Sequence, residues 1–239
     1  AVVRYELEGA RYELHANFAR LDRSGSLEGQ DSAGLVLLDA LGDVVGSVQG
    51  AEGWSAEIAA DRLRLKAFEP TPAGDPGSAP QKLEPRELTA EGHVHFAYSG
   101  DFQVNGAAER LVLRADGSGE LRPLPGERLE LSGVLPKDDL RFSMSCRSAE
   151  FSSQHLIAED PDLRIEGQEG APGEERSFPP GGGRLRAVAG RMASDENSIL
   201  LTGGAHVSQL GADSPGWFLY ADKVLLTGTP EARTKPSLD

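Results

Sequence analysis

The sequence predicts an all-β protein, and three observations support that prediction. Apolar and polar residues alternate over short stretches, of which residues 11–18 (RYELHANF) are the clearest example. Clusters of Gly, Asp, Ser and Pro separate these stretches at the spacing of β-hairpins. Convincing amphipathic helices, with apolar residues every three to four positions, are absent. Many short strands with such turns indicate a sandwich, a barrel or a solenoid.

The N-terminal half contains several predicted strands and one long loop. Residues 3–7 and 11–18 alternate with period two, which is typical of strands with one face in water. Residues 34–41 (GLVLLDAL) fit a short helix or a buried strand, and we favour a strand because Gly42-Asp43 follows as a turn. Residues 69–81 (EPTPAGDPGSAPQ) are too rich in Pro and Gly for a helix or a central strand, so we expect a loop or linker there.

The C-terminal half follows the same pattern. Alternation predicts strands at residues 140–146 and 184–189, with a second Pro/Gly-rich loop at residues 167–183 between them. Residues 229–239 have little to bury and are predicted to form a flexible tail. We therefore expect a single elongated domain over residues 1–228, and the sequence leaves open whether the two loops divide it.

One segment recurs along the chain. Residues 199–226 contain two strand patterns around a loop and end in an Ala-Asp-Lys strand. Residues 91–113 repeat this order with an Ala-Glu-Arg ending, and residues 46–65 form a weaker copy that closes with Ala-Asp-Arg. The irregular spacing suits a stack of hairpin rungs better than propeller blades of fixed length. Each end of such a stack exposes unpaired backbone groups, to which another chain can add a strand.

Composition argues against several classes of function. The chain has 24 Lys and Arg residues against 38 Asp and Glu residues, a net charge of -14. This balance argues against nucleic-acid binding and against docking on anionic lipid headgroups. No run approaches the roughly 18 apolar residues of a membrane-spanning helix. The single cysteine, Cys146, excludes an internal disulfide, and its apolar strand face favours a buried small side chain over a nucleophile.

The sequence predicts no catalytic residues, no metal site and no cofactor. His93 and His95 have a spacing that metal sites on β-proteins use, but a solvated outer face is the favoured interpretation. No Ser-His-Asp order or phosphate-binding loop is present. The Asp61-Arg62, Glu109-Arg110 and Asp222-Lys223 pairs are interpreted as registration between strands, with the acid of one rung beside the base of another.

The repeat resembles the OstA-like repeat of LptA-type periplasmic lipopolysaccharide-transport proteins. Residues 200–209 (LLTGGAHVSQ) and 218–225 (FLYADKVL) are similar to its L-x-G-N-A/V stretch and its A/G-D-x-[IVL] strand. The copy at residues 91–113 has Gly92-His93-Val94 in place of Gly-Asn-Val. Residues 9–16 (GARYELHA) are similar to the G-x-x-Y-x-L-x-A start of the membrane-anchored LptC-type proteins.

The resemblance implies an open β-jelly roll, a folded sheet whose halves enclose an apolar groove. It also implies a non-enzymatic protein that holds acyl chains of lipopolysaccharide and passes them along a bridge of end-to-end protomers. The expected partners are thus lipopolysaccharide or a related acylated lipid, and other Lpt-type β-jelly-roll proteins or a second copy. The expected location is the periplasm, with an N-terminal anchor removed. The Pro/Gly-rich insertions and the acidity depart from the family pattern.

The expected groove wall combines this implication with the apolar strand faces. Its candidates are Val94, Phe96, Phe102, Val104, Leu111, Leu113, Phe142, Met144, Ala205, Val207, Phe218 and Val224. Burial of each lipid methylene contributes about 0.8 kcal/mol, so an acyl chain can be held without a charged contact. Two alternatives remain open: a structural scaffold that polymerises end to end without lipid, and a glycan-binding or glycan-active jelly roll.

Overall fold

The computed structural model confirms the all-β class. It describes residues 1–7, 10–24, 34–50, 53–69, 84–100, 103–135, 140–152, 155–167, 184–195, 198–210 and 216–227. These ranges form 17 β-strands in one antiparallel sheet, and they contain no helix. It follows that no described helix is long and apolar enough to cross a membrane.

Six of the described strands have 11 to 16 residues, and the other strands have four to seven. Their bounds are β1 Val2–Leu7, β2 Ala10–His15, β3 Phe18–Ser24, β4 Gly34–Gln49, β5 Ser55–Glu69, β6 Glu84–Ser99, β7 Gln103–Arg114, β8 Gly119–Arg122 and β9 Leu129–Leu135. The remaining strands are β10 Leu140–Cys146, β11 Ser148–Phe151, β12 Leu156–Glu159, β13 Asp162–Gly167, β14 Arg184–Val188, β15 Arg191–Ser194, β16 Ser198–Leu210 and β17 Trp217–Thr227. The three repeat copies thus correspond to the β4–β5, β6–β7 and β16–β17 hairpins.

Each of the six long strands contributes one segment to each of two halves of the sheet, which we call half A and half B. Residues 44–49 of β4 pair with β5, as do residues 34–41, but β2 flanks the first segment and β3 the second. Half A consists of β1, β2, residues 44–49, 55–60, 94–99 and 103–108, β9, β10, β13, β14, and residues 205–210 and 217–221. Half B consists of β3, residues 34–41, 62–69, 84–91 and 110–114, β8, β11, β12, β15, and residues 198–202 and 223–227.

The halves meet along a line of irregularities that we call the crease. Left-handed residue pairs lie on it at Gly42-Asp43 (φ 76° and 45°), Gly92-His93 (77° and 46°) and Gly203-Gly204 (80° and 74°). The pairing register shifts at each of these pairs. The expectation that Gly42-Asp43 is a turn is therefore wrong, since β4 continues through it. Extra residues on one strand make a bulge, which bends the strand without reversing it.

The core lies between the two halves. Inward residues next to the crease in half B are register partners on successive strands, and all are buried: Ala40, Leu63, Ala90, Leu111, Leu121, Ala149, Ala158, Met192, Leu201 and Val224. Most of them share one cluster with buried residues of half A such as Leu129, Met144 and Leu185. The sheet therefore folds over on itself about the crease.

The two Pro/Gly-rich segments lie almost entirely outside the described residues. Strand β5 ends at Glu69 and β13 ends at Gly167, where the predicted loops at residues 69–81 and 167–183 begin. The predicted tail at residues 229–239 also lies outside them. Strand β4 begins at Gly34, which confirms the strand interpretation of residues 34–41.

Candidate functional site

The candidate site is an apolar cleft between the halves, formed by inward residues that lie away from the crease. In half B the second inward row is half-buried on strand after strand: Leu38, Leu65, Leu88, Leu113, Phe151, Leu156, Ile199 and Leu226. Half A contributes the half-buried residues Ile58, Phe96, Tyr98, Val104 and Phe142. Burial thus falls from the first to the second inward row of half B. One row further out, Val36 and Ala67 are buried again at 2% exposure each, so apolar surface remains partly accessible along the second row.

Three phenylalanines in the cleft lie flat on the sheet. Phe96, Phe142 and Phe151 are the direct register partners of Gly106, Gly133 and Gly119. A Cβ added at Gly106 would lie 2.8 Å from Phe96 Cζ, and one added at Gly133 would lie 2.7 Å from Phe142 Cζ. Each ring therefore covers the glycine of the neighbouring strand instead of projecting across the interior. This arrangement makes a shallow apolar wall.

The cleft closes towards the C-terminal end of the sheet. Ile165 and Leu185 of half A, which continue the row of Phe142, are 7% and 1% exposed. At the end of this row Trp217 Nε1 donates a hydrogen bond of 2.7 Å to Gln209 Oε1, and Gln209 is buried. On the half A side, the accessible apolar wall is therefore concentrated between β5 and β10.

The predicted wall residues divide into two groups. Phe96, Val104, Leu113 and Phe142 are half-buried on the inner faces. The others that face inwards are closed off in the core: Val94, Leu111, Met144, Ala205, Val207 and Val224. Phe102 lies outside the described residues.

The expected inward orientation of Phe218 is wrong. Its side chain is 80% exposed, and its register partner is Ser208, which lies between the buried residues Val207 and Gln209. Because side chains alternate between faces, Trp217 and Leu219 share the inner face and Phe218 points outwards. The half B residues Leu88, Phe151, Leu156 and Leu226 were not predicted. Their period-two alternation was visible, but only the strand pairing places them opposite half A.

Cys146 is a buried core residue, as its strand face predicted. Its exposure is 0%, and burial raises the pKa of its thiol to about 11. At neutral pH the reactive thiolate is therefore scarce, which agrees with a packing role.

The predicted contacts between one charged pair and another are not observed among the described residues. Arg62 and Arg110 each contact an acid on the neighbouring strand that belongs to none of the three pairs. Arg62 donates to both carboxylate oxygens of Asp39 at 2.8 and 2.6 Å, and this holds the pKa of Asp39 below its usual value. Arg110 lies 3.7 Å from Glu91 on the adjacent strand. Among the described residues, no three His, Cys, Asp or Glu side chains are placed to hold a metal ion.

His93 is one of the left-handed residues of the crease, and it contacts an acidic side chain on the neighbouring strand. Its Nδ1 lies 2.9 Å from Asp61 Oδ2, and this hydrogen bond raises the pKa of the imidazole. The equivalent position in the N-terminal rung is Asp43, whose Oδ2 accepts a hydrogen bond of 3.1 Å from Asn17 Nδ2. The left-handed residue is thus tied to β5 at His93 and to the β2–β3 connection at Asp43.

A separate concavity of about 570 Å³ is lined mainly by outward residues of half A, together with Phe96, Gly106 and Leu131 of the inward rows. Its floor contains Ala59, Ala97 and Ala107, and polar side chains of β5, β6, β7, β9 and β10 surround it: Glu57, His95, Asn105, Glu130, Ser132 and Ser143.

Comparison of the chain with models of known protein families, with curated proteins and with solved structures finds no match.

Proposed function

We propose that this protein is a non-enzymatic carrier of acylated lipid, with an open, OstA-like β-jelly-roll fold, and that it acts in the periplasm in lipopolysaccharide transport. Support for the fold comes from a single antiparallel sheet that folds along a crease, with left-handed residue pairs at three Gly-x dipeptides. Lipopolysaccharide is the expected cargo because of the sequence resemblance.

The observation that carries the proposal is the half-buried apolar surface on both inner faces. Apolar side chains in a closed hydrophobic core are normally buried, as are those of the row beside the crease. The next row stays partly accessible over successive strands of half B, and Phe96 and Phe142 lie flat opposite it. An acyl chain laid along this surface gains about 0.8 kcal/mol for each buried methylene.

Photocrosslinking from two adjacent residues tests the proposal. A benzophenone amino acid at Phe142 faces the cleft, and the same probe at the exposed neighbour Arg141 faces the solvent. With purified lipopolysaccharide, we expect crosslinked lipid from position 142 and not from position 141. Equal labelling at both positions, or none at either, contradicts the proposal. Crosslinking at position 142 with phospholipid vesicles, but not with lipopolysaccharide, would support lipid binding in the cleft and exclude lipopolysaccharide as the cargo.

End-to-end assembly through the edge strands is the second part of the proposal, and a scaffold without lipid is its alternative. The C-terminal edge strand β17 exposes Trp217, Leu219 and Tyr220 at 45%, 44% and 76%. At the other end β1 exposes Val2 and Val3 at 54% and 40%. Apolar edges with unpaired backbone groups favour addition of a second copy.

Sedimentation velocity of edge variants tests this assembly. Lysine at Val3 or at Leu219 places a charge on one edge, so we expect each variant to remain monomeric at concentrations where the wild type associates. Gln49→Lys adds the same charge on the interior strand β4 and serves as the control. Assembly that persists in both edge variants excludes the edges as the contact. Assembly of wild type without any lipid crosslink from position 142 supports the scaffold alternative.

A further inference from the structure

The outer face of half A carries two unbroken rows of residues that run across its strands. The first row joins direct register partners from β5 to β17: Glu57, Ala97, Asn105, Ser132, Ser143, Arg164, Arg186, Ser208 and Phe218. The second row lies beside it: Ala59, His95, Ala107, Glu130, Ser145, Asp162, Val188, His206 and Tyr220. We call these two rows the outer stripe. The 570 Å³ concavity occupies its first five strands.

Three pairs of polar side chains in the outer stripe are joined by hydrogen bonds. Ser132 Oγ donates a hydrogen bond of 2.7 Å to Asn105 Oδ1, and Ser145 Oγ donates one of 2.7 Å to Glu130 Oε1. Arg186 donates to both oxygens of Asp162 at 2.9 and 2.7 Å. Preorganised polar groups lose little conformational entropy when a ligand binds.

The charges of the outer stripe nearly balance, although the whole chain carries a net charge of -14. Its carboxylates are Glu57, Glu130 and Asp162, and its guanidiniums are Arg164 and Arg186. The three carboxylates would repel a polyanion, and the two guanidiniums would repel a polycation. The mixture of hydrogen-bond donors and acceptors instead suits an uncharged ligand with many hydroxyl groups.

Two exposed aromatic rings end the stripe on β17. Phe218 and Tyr220 are 80% and 76% exposed on the outward face, and the Tyr220 ring centroid lies 5.8 Å from that of His206. Exposed aromatic faces are suited to packing against the C–H face of a sugar ring. The alanines on the concavity floor leave a flat surface for the same purpose, because their side chains are short.

We infer that the outer stripe binds a linear, neutral polysaccharide that lies across the strands. In an extended β-1,4-linked chain, each pyranose unit advances the chain by a distance close to the strand spacing of about 4.8 Å, so successive sugars meet successive strands. Glu57, Asn105 and Glu130 bind hydroxyl groups in the concavity, and Phe218 and Tyr220 stack on sugars at the far end. This site is independent of the lipid cleft, which lies on the opposite face of half A.

Affinity electrophoresis of the whole chain tests the inference. Native gels contain one dissolved polysaccharide each: a dextran, a β-1,3-glucan, a β-1,4-mannan, or the polyanion hyaluronan. We expect retardation by at least one of the neutral polymers and none by hyaluronan. Asn105→Ala and Tyr220→Ala are each expected to weaken binding by about two- to tenfold, as loss of one contact does.

The matched control is Leu225→Ala, which removes a side chain that is 58% exposed on the same strand but on the outer face of half B. Retardation in this variant should equal that of the wild type. No retardation by any neutral polymer, retardation by hyaluronan only, or equal retardation of N105A and wild type overturns the inference. The lipid crosslink from position 142 is measured separately, so the polysaccharide site and the lipid cleft can each be supported or excluded without the other.

Discussion

Replacement of Gly204 by alanine isolates the energetic role of the left-handed crease. Gly204 has a φ of 74°, and a Cβ added there would find nothing within 4 Å. The substitution therefore changes backbone energetics without adding a clash. The left-handed conformation costs a residue with a Cβ about 1 to 2 kcal/mol. Alanine also restricts the unfolded chain more than glycine does, which stabilises the folded state by about 0.4 to 1 kcal/mol. We therefore expect a net loss of about 1 kcal/mol in the free energy of unfolding.

Two further variants separate conformation from contact. Asparagine adopts the left-handed region more readily than alanine, so Gly204→Asn should lose less stability than Gly204→Ala. Gly92 has a similar φ of 77°, but a Cβ added there would lie 2.8 Å from Asp61 Cβ. Gly92→Ala should therefore lose more stability than Gly204→Ala, since it also displaces the partner of His93.

Urea unfolding followed by tryptophan fluorescence measures these differences, because Trp54 is half-buried against Tyr98 with ring centroids 6.4 Å apart. A loss of about 1 kcal/mol corresponds to a lower melting temperature by about 2 to 4 °C for a chain of this size. If Gly204→Ala is as stable as the wild type, or if asparagine is no better than alanine there, the crease is not left-handed in solution and the reasoning fails.

Three other predictions follow from the titrating groups. Cys146 should resist iodoacetamide at pH 8 in the native protein and react at once in urea, because burial raises its pKa to about 11; rapid native alkylation would contradict its place in the core. The imidazole of His93 should titrate above 6.5 by NMR and return towards that value in Asp61→Asn. Because the folded pKa of His93 is raised, its interaction with Asp61 stabilises the protein fully below about pH 6.5, and this stabilisation is lost as pH rises through the folded pKa. If Asp61→Asn loses the same stability at every pH, the interaction between His93 and Asp61 is contradicted. For Asp39 the pKa is lowered by Arg62, so its contribution is present above about pH 3.8 and disappears as pH falls through the folded pKa. The stability difference between wild type and Asp39→Asn should shrink in acid, and a constant difference would exclude the ion pair as its cause.

The groove candidates show where sequence reasoning succeeds and where it stops. Alternation placed Val94, Phe96 and Val104 on one apolar face, and the pairing of β6 with β7 agrees. Alternation could not tell that Val94 is in the closed core while Phe96 remains accessible, because both are apolar and face inwards. That difference depends on distance from the crease, a property of the folded sheet. Phe218 failed for a related reason, since β17 changes parity opposite the bulge at Gly203-Gly204. Val224 and Ala221 both face inwards although they are three positions apart.

The sequence by itself determined the strand periodicity and the recurring hairpins. These are local properties, because each depends on the conformational preferences of a few neighbouring residues. The tertiary structure decided which strands flank one another, how the sheet folds at the crease and which inward residues stay accessible. It also aligned Asn105, Arg164 and Phe218 in one outward row, although they are far apart in the chain. Such rows arise only from pairing register, which is fixed by the burial of whole strand faces and not by any single residue.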